Sequence, residues 1–278
     1  MDGETRAGRN YEKRAMLKIV FFILGSIVGS FLNVCIYRMP RSKSIIFPRS
    51  QCAHCGYAIK WYENIPLLSF LFLKGKCSAC KKPIALRYFI VELLTAVLFV
   101  SIYAKFGLHL NLLYFLILTC GLIVATFIDF EHQLIPDSVS LGGIVLGLAA
   151  SFFFPTLFGV FSRRAALIDS FIGALVGAFA IYSVATLGKV LFRKKLEAIK
   201  EDSAMGFGDV KFLAMIGAFL GWQKVLLVFF LAPFFGASIG LIQRIRYKVE
   251  IIPYGPYLSL AAIIAILWGD EIMRRFLC

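Results

Sequence analysis

Long apolar runs follow one another through most of this chain and restrict it to one class of fold. A helical run of about 20 apolar residues spans the hydrocarbon core of a bilayer. Because backbone polar groups in lipid must be paired within the segment, each run is predicted to be a transmembrane helix. Eight runs are visible, at residues 17–37, 88–106, 110–128, 138–158, 166–190, 209–221, 224–243 and 257–273.

The composition excludes an ordinary soluble domain. Of the 278 residues, 60% are hydrophobic and only 17% are charged, which is more apolar surface than a soluble chain of this length can bury. The chain is therefore predicted to be an all-α polytopic membrane protein in a lipid bilayer. Its predicted parts are a hydrophilic tail, a first transmembrane helix, a soluble loop domain and a membrane domain, at residues 1–16, 17–37, 38–87 and 88–278.

The net charge of +14 reflects 30 Lys and Arg against 16 Asp and Glu. A basic balance also occurs in nucleic-acid-binding proteins. Here the basic residues lie in loops between apolar runs, as the positive-inside rule describes, so we expect no nucleic-acid partner. Ten of them lie between the first two runs and place that loop in the cytoplasm: Arg38, Arg41, Lys43, Arg49, Lys60, Lys74, Lys76, Lys81, Lys82 and Arg87. With eight spans, the basic amino-terminal tail would then lie outside, against the same rule.

The soluble loop contains two Cys-x-x-Cys pairs. Cys52 and Cys55 form the first pair, and Cys77 and Cys80 form the second after a spacer of 21 residues. This spacing indicates four thiolates around a tetrahedral zinc, which would staple a segment too small for a good hydrophobic core. A closed shell of four thiolates predicts a structural zinc. Disulfides are the competing interpretation, but they do not suit a reducing cytoplasm. His54, inside the first pair, could replace a cysteine as ligand, but a histidine on the surface is the preferred interpretation.

Two aspartates end apolar runs on the same predicted side of the membrane. Asp129 ends the third run, and Asp209 opens the sixth after Gly206 and Gly208. Ionisable groups at membrane depth are costly and are functional candidates by default. Two carboxylates that meet can share a proton and activate a water. The glycines would permit unusual backbone angles and let a substrate chain approach. A helix start stabilised by its dipole is the competing interpretation of Asp209.

Three other acidic residues have plainer predicted roles. Asp137 is placed to cap the fourth predicted span. Glu92 is either a paired structural charge or a substrate contact, and the residues alone do not separate these. Asp169 is predicted to be a solvated or paired charge on the outer side.

A glycine pair lies in the first run. Gly25 and Gly29 are four residues apart and so share one helix face. Such pairs let a second helix approach closely, and ordinary tight packing is the expected role.

Short motifs, together with the cysteine pairs, occur in one order at residues 29–40, 64–69, 87–92, 128–137, 206–211 and 252–257. As an ordered set they resemble the bacterial type IV prepilin peptidases, a family of GxGD-type intramembrane aspartyl proteases. The resemblance implies an inner-membrane enzyme that cleaves the basic leader of prepilins or pseudopilins on the cytoplasmic side. It also implies N-methylation of the new terminus with S-adenosylmethionine. Its catalytic aspartates correspond to Asp129 and Asp209, and its cysteine tetrad to the two pairs above.

The methyl-donor site has no independent signal in the sequence. No glycine-rich loop follows a predicted strand, as a Rossmann-type methyltransferase would show. Methylation therefore rests on the resemblance alone, with Asn33, Arg38 and Glu92 as candidate residues for the cofactor. The substrates could belong to type IV pili, to type II secretion or to competence systems, and Glu131 or Glu201 are candidate contacts for the basic leader.

Two other classes of function remain alternatives to the peptidase. A proton- or cation-coupled transporter would use the same carboxylates as a relay, but it would not need the zinc loop. A noncatalytic zinc scaffold for a pilus or secretion machine would not need the aspartates.

Overall fold

The protein is described here by a computed structural model covering residues 2–191, 206–247 and 253–277. These residues form helices and connecting loops, with no β-strand among them beyond two isolated bridges. The helices are α1 (Asp2–Arg38), α2 (Leu68–Phe72), α3 (Leu86–Phe106), α4 (Leu110–His132), α5 (Asp137–Phe153), α6 (Arg163–Leu191), α7 (Phe207–Tyr247) and α8 (Gly255–Leu277). Short 3-10 turns lie at Met39–Arg41, Trp61–Asn64 and Pro155–Phe158. The predicted all-α class is confirmed.

Six of these helices are long and apolar enough to cross a membrane, so the chain is a multi-pass membrane protein. They are α1 from Glu12 onward, α3, α4, α6, α7 and α8. Helix α5 is also apolar but has only 17 residues. The predicted number of eight spans is not confirmed, since α5 is short and the sixth and seventh predicted runs both fall within α7.

Helix α7 is broken at Gly221, which has φ 77° and ψ 173°. This conformation is essentially restricted to glycine, because a Cβ would clash with the neighbouring backbone. The break separates a first arm, residues 207–220, from a second arm, residues 222–247. The predicted boundary between the sixth and seventh runs lies at this point.

The two arms of α7 form a hairpin. In a straight helix, Asp209 and Gly236 would lie about 40 Å apart at 1.5 Å per residue. Tyr254 nevertheless interacts electrostatically with Asp209, and its ring lies 3.7 Å from the Cβ position of Gly236. Both arms therefore return to the same end of the bundle.

The described chain divides into two compact units, residues 1–116 and 117–278. In the first unit, α1 packs closely on α3 through its glycine pair. A Cβ at Gly25 would lie 2.7 Å from the Cα of Ala96, and one at Gly29 would lie 2.7 Å from the Cα of Glu92. The predicted close approach is confirmed. The residues of the predicted hydrophilic tail form the first turns of α1, which begins at Asp2.

The first arm of α7 lies at the centre of the second unit. Its side chains at Phe212, Leu213 and Ile216 are fully buried. Around it, α5 and α6 present small residues that allow their backbones to come near. The glycines in this packing are Gly143, Gly147, Gly173, Gly177 and Gly217. They occur at spacings of four within α5 and α6, which is the small-xxx-small pattern of membrane helix pairs.

The predicted cap at the start of α5 is wrong. The N-cap residue is Pro136, which has extended backbone angles, and no side chain caps the helix. The Pro136 carbonyl accepts hydrogen bonds from the N–H groups of Val139 and Ser140 at 3.0 and 3.1 Å. Asp137 is instead the first helical residue, and its carboxylate forms an ion pair with Lys211 of α7.

Candidate functional site

The two cysteine pairs form matching turns in the first unit. The N–H of Cys52 donates to the Tyr57 carbonyl at 2.9 Å, and an isolated bridge joins Gln51 to Ala58. In the second turn the N–H of Cys77 donates to the Lys82 carbonyl at 2.9 Å. Each turn thus holds its two sulfur atoms on the same side of a short backbone loop.

The four sulfur atoms are placed to bind one metal ion. The Sγ atoms of Cys52, Cys55, Cys77 and Cys80 all lie within 4.8 Å of one another. Cys52 and Cys80 are 3.9 Å apart at sulfur, which is too far for a disulfide. Tetrahedral zinc with Zn–S bonds of about 2.3 Å requires sulfur atoms about 3.8 Å apart. The donor set therefore fits a zinc ion, and no disulfide is present within it.

Thiol acidity in the cluster also suits a metal site. The backbone N–H groups of His54 and Cys55 donate to the sulfur of Cys52 and lower its pKa to about 6. At Cys55 the Tyr57 amide acts in the same direction. Desolvation and the other three thiols outweigh it and raise the pKa of Cys55 to about 11. Without a cation, the first thiol of the cluster loses its proton readily, but the remaining thiols resist deprotonation. A bound divalent metal would favour deprotonation of all four.

The three candidate methyl-donor residues are buried in the first unit and bind backbone groups. Asn33 Nδ2 donates to the Tyr88 carbonyl at 3.0 Å, and Glu92 Oε2 accepts the N–H of Leu67 at 2.7 Å. The first bond joins α1 to α3, and the second joins α3 to the loop that precedes α2.

Arg38 donates to the carbonyls of Ser44 and Pro48 at 2.9 and 2.6 Å. Within the described part of the chain, Asn33 Oδ1 is a buried acceptor without a hydrogen-bond partner. That atom is suited to an ammonium or hydroxyl donor of a ligand, whereas Arg38 already binds the chain. A cofactor site at these residues remains a prediction.

Asp129 and Asp209 both belong to the second unit, at the end of α4 and the start of α7, and they interact electrostatically. Helix α4 ends because Gln133 adopts a left-handed φ of 52°, with its N–H donating to the Asp129 carbonyl at 2.9 Å. Asp129 therefore lies in the last turn of α4, with only 6% of its side chain exposed. Asp209 lies in the first turn of α7, where its N–H donates to the Gly206 carbonyl at 3.1 Å.

The two carboxylates interact electrostatically, with the charge of Asp129 acting on Asp209. The Gly255 N–H donates to Asp129 Oδ2 at 2.9 Å in a buried setting. The side chain of Ile135 lies 3.5 Å from the Cβ position of Gly208 and 3.4 Å from that of Gly255. The start of α7 and the start of α8 therefore both lie beside Ile135, close to the end of α4.

The glycines before Asp209 differ from their predicted role in one respect. Neither Gly206 nor Gly208 has a positive φ, so the expected unusual backbone angle is not found. A Cβ at Gly206 would meet Asp209 Oδ2 at 3.6 Å, which is an ordinary contact. The chain itself thus does not require glycine at either position. Close approach by a substrate remains the predicted reason for them.

Several residues around the aspartates were missed by sequence reasoning. Tyr254 and Gly255 lie beside the dyad, although the sequence marked their segment only as a motif. At the opposite end of the first arm of α7 lies Asp169, which was predicted to be a solvated or paired charge. Its carboxylate accepts a hydrogen bond from the N–H of Trp222, the first residue of the second arm, and so caps that arm. Gly221, just before a new apolar run, was a signal in the sequence that a helix begins there and needs a cap. Glu201 lies outside the described residues.

The fold and site together define a multi-pass helical membrane protein with an interacting pair of helix-end carboxylates and a four-cysteine metal-type cluster. The family model described as the bacterial peptidase A24 N-terminal domain matches residues 23–106, and that of the type IV leader peptidase family matches residues 116–241. The chain belongs to the type IV leader peptidase family, as the motif resemblance predicted.

Curated relatives cover almost the whole chain. A protein of Stutzerimonas stutzeri is 39% identical over 92% of this chain and 92% of its own length. A protein of Pseudomonas aeruginosa is 39% identical over 92% of this chain and 91% of its own length. One of Aeromonas hydrophila is 37% identical over 92% of this chain and 92% of its own length. Each is named prepilin leader peptidase/N-methyltransferase. No solved structure matches the chain significantly.

Proposed function

We propose that this chain cleaves the leader peptide of type IV prepilins or pseudopilins and then N-methylates the new terminus. The relatives that match along its length carry these two activities in their names. The observation that carries the proposed chemistry is the pairing of Asp129 with Asp209, from helices far apart in the chain. Two interacting carboxyl groups are the catalytic groups that aspartyl hydrolysis requires.

The proposed mechanism uses the pair as one acid–base unit. The ionised aspartate takes a proton from a water molecule, whose oxygen attacks the scissile carbonyl carbon. The protonated aspartate hydrogen-bonds the carbonyl oxygen and supports the negative charge that develops there. When the C–N bond breaks, the leaving amine takes up a proton from the pair. The two carboxyls then share a proton again.

The proposed setting is the bacterial inner membrane, with the dyad at the cytoplasmic ends of α4 and α7. Loop charge supports this orientation, because ten Lys and Arg lie between α1 and α3. A prepilin would place its apolar helix in the bilayer and keep its basic leader beside the anionic inner surface. Cleavage at that boundary requires acids at a helix end, which is where Asp129 and Asp209 lie.

Two cofactors complete the proposal. Zinc at the cysteine cluster would cross-link the loop, and four thiolates leave no open position for substrate. S-adenosylmethionine would supply the methyl group for the new terminus. For that cofactor, Asn33, Arg38 and Glu92 stay the candidate residues, with Asn33 Oδ1 as the free acceptor.

The test is co-expression with a prepilin that carries a basic leader, followed by mass spectrometry of its amino terminus. The unaltered chain is expected to yield a shortened, methylated product. Asp129→Asn and Asp209→Asn are each expected to leave the leader attached while the protein still inserts. The matched control is Asp270→Asn, which alters an exposed carboxylate paired with Lys224 and should cut normally.

Normal cutting by either dyad variant would refute the aspartyl mechanism. Shortened but unmethylated product from the unaltered chain would refute the second activity alone. Proton-coupled flux in vesicles without any cutting would favour the transporter instead.

Zinc is tested by metal analysis of the purified protein. We expect about one zinc per chain, since four thiolates complete one tetrahedral shell. Cys77→Ala should lose most of this zinc. Cys35→Ala, which changes a buried cysteine of α1 outside the cluster, should keep it. Equal zinc content in the two variants would contradict the assignment.

A further inference from the structure

The connection into α8 lies directly against the aspartate pair. The Gly255 N–H donates to Asp129 Oδ2 at 2.9 Å. A Cβ at residue 255 would lie 2.8 Å from that same oxygen and 3.3 Å from the carboxyl carbon. Separations below about 3 Å do not occur for real Cβ atoms without movement of a neighbour. The carboxylate of Asp129 therefore packs on bare main chain.

Glycine at residue 255 is not explained by backbone conformation. Positive φ angles occur at five described glycines, and Gly255 is not among them. An alanine could adopt the same backbone without strain. The nearest neighbour of a Cβ there is the Asp129 carboxylate, so a side chain at residue 255 would displace that carboxylate rather than strain the backbone.

The residue before it, Tyr254, interacts electrostatically with the other aspartate. Burial and the charge of Asp209 raise the pKa of Tyr254 to about 12, so its hydroxyl stays protonated at neutral pH. The ring is held in place by the Tyr257 ring, with 6.4 Å between centroids, and by the main chain at Gly236. A protonated hydroxyl on a ring held by its neighbours is a preorganised hydrogen-bond donor.

We propose that residues 253–255 form a third component of the active site, beside the ends of α4 and α7. Gly255 is a positioning residue that fixes the orientation of the Asp129 carboxylate through its N–H. Tyr254 donates a hydrogen bond to the scissile carbonyl oxygen as negative charge develops on it. This inference rests on the proposed function and extends it to two residues outside the aspartate pair.

The contact with Asp129 is tested first by stability, without reference to activity. In purified protein, Gly255→Ala should lower Tm by about 5 °C, because the added methyl overpacks the carboxylate. In an Asp129→Ala background, the same substitution should lower Tm by less than about 1 °C. Gly269→Ala in the same helix is the matched control, since its nearest neighbours are at 3.8 Å. An equal Tm loss in both backgrounds would overturn the contact.

Cleavage kinetics test the positioning role. Gly255→Ala is expected to lower kcat by about 100-fold with KM changed less than 3-fold, because a displaced base loses alignment in the chemical step. Gly269→Ala should keep both constants. A rise in KM at unchanged kcat would overturn positioning and indicate a substrate-binding role instead.

The Tyr254 hydroxyl is tested by Tyr254→Phe, which keeps the ring and removes the donor. A loss of about 100-fold in kcat is expected, at the low end for removal of a donor to a developing oxyanion. The control is Tyr257→Phe, since that buried hydroxyl has no hydrogen-bond partner among the described residues. Equal kcat for the two variants would remove Tyr254 from the chemistry.

These experiments separate two kinds of failure. If Asp129→Asn still cuts normally while the Tm coupling between residues 129 and 255 persists, the aspartyl mechanism fails and the contact stands. If Asp129→Asn is inactive but the coupling is absent, the mechanism stands and the third component is overturned.

Discussion

The two ends of the first arm of α7 make an informative comparison. At one end, Asp129 accepts the N–H of Gly255, and a Cβ on that glycine would lie 2.8 Å from its carboxylate. At the other end, Asp169 accepts the N–H of Trp222, and a Cβ on Gly221 would lie 2.9 Å from its carboxylate. Both ends therefore combine an acid, a backbone amide and a bare glycine.

The ends differ in what else is present. Asp129 faces a second acid, Asp209. Asp169 has no such partner in the residues that the structure describes, and its Oδ1 makes no hydrogen bond there. Gly221 also needs its positive φ for the chain to reverse, whereas Gly255 has no positive φ. An acid that accepts a backbone N–H is thus a structural cap at one end. At the other end it becomes a candidate catalytic group only because a second acid is near.

The largest expected effect is on cleavage activity, which should depend on the acids at one end of the first arm of α7 and not on the acid at the other. Asp209→Ala should lower leader cleavage by at least about 1000-fold, since the pair then lacks one of its two proton-handling groups. Asp169→Ala should change cleavage less than about 3-fold and instead lower stability by about 1 kcal/mol, the usual cost of a lost helix cap. Both are measured on purified protein, by prepilin cleavage rate and by thermal unfolding. If the Asp169→Ala variant were inactive but normally stable, Asp169 would also have a role in the chemistry, and the two ends would not differ in function.

The next effect is on stability and concerns the chain reversal. Gly221→Ala should destabilise the protein by about 2–3 kcal/mol, because residue 221 occupies a region essentially limited to glycine and its Cβ would contact Asp169. Gly142→Ala, in α5 with open space around it, should be neutral or stabilising by about 0.5–1 kcal/mol. Unfolding in detergent with increasing denaturant gives both values. Similar values for the two variants would show that the break does not need glycine.

A smaller effect is expected beside the structural end. Ser170 Oγ donates to the Ala218 carbonyl at 2.7 Å in a buried setting. Ser170→Ala should cost about 1 kcal/mol of unfolding free energy, as for a typical buried hydrogen bond, with cleavage unchanged. Ser183→Ala is the control, since that hydroxyl is exposed and bonds only within its own helix. A cleavage defect in Ser170→Ala would mean that this end influences the chemistry.

The smallest effect is expected at the aspartate end, from the ion pair between Lys211 and Asp137. The Asp137 side chain is 61% exposed, so water screens the attraction. Lys211→Met should change the unfolding free energy by less than about 1 kcal/mol, with little salt dependence remaining in the variant. Thermal unfolding at low and high salt measures this. A loss of several kcal/mol would assign the pair a role in holding α5 to α7.

Much of the fold was accessible from residue types alone. Hydropathy located every long helix in the described residues, because lipid requires helical runs of a set length. The Gly25 and Gly29 pair predicted close helix packing correctly, because two residues four positions apart lie on the same face of a helix. The cysteine spacing likewise predicted a cluster that the four sulfur positions now fit. Asp137 was misassigned because a proline before a helix can serve as the cap without any side chain.

The amino-acid sequence by itself determined that this chain is helical, membrane-embedded and equipped with two helix-end acids and four paired cysteines. These are consequences of composition and short spacings, which act within a single helix or turn. The apolar runs also predicted the boundary at Gly221. Only the tertiary structure decided that Asp129 lies against Gly255. It also decided that Asp169 caps a helix. These contacts join residues dozens of positions apart in the chain. They depend on how the helices pack and not on the conformational preference of any single segment.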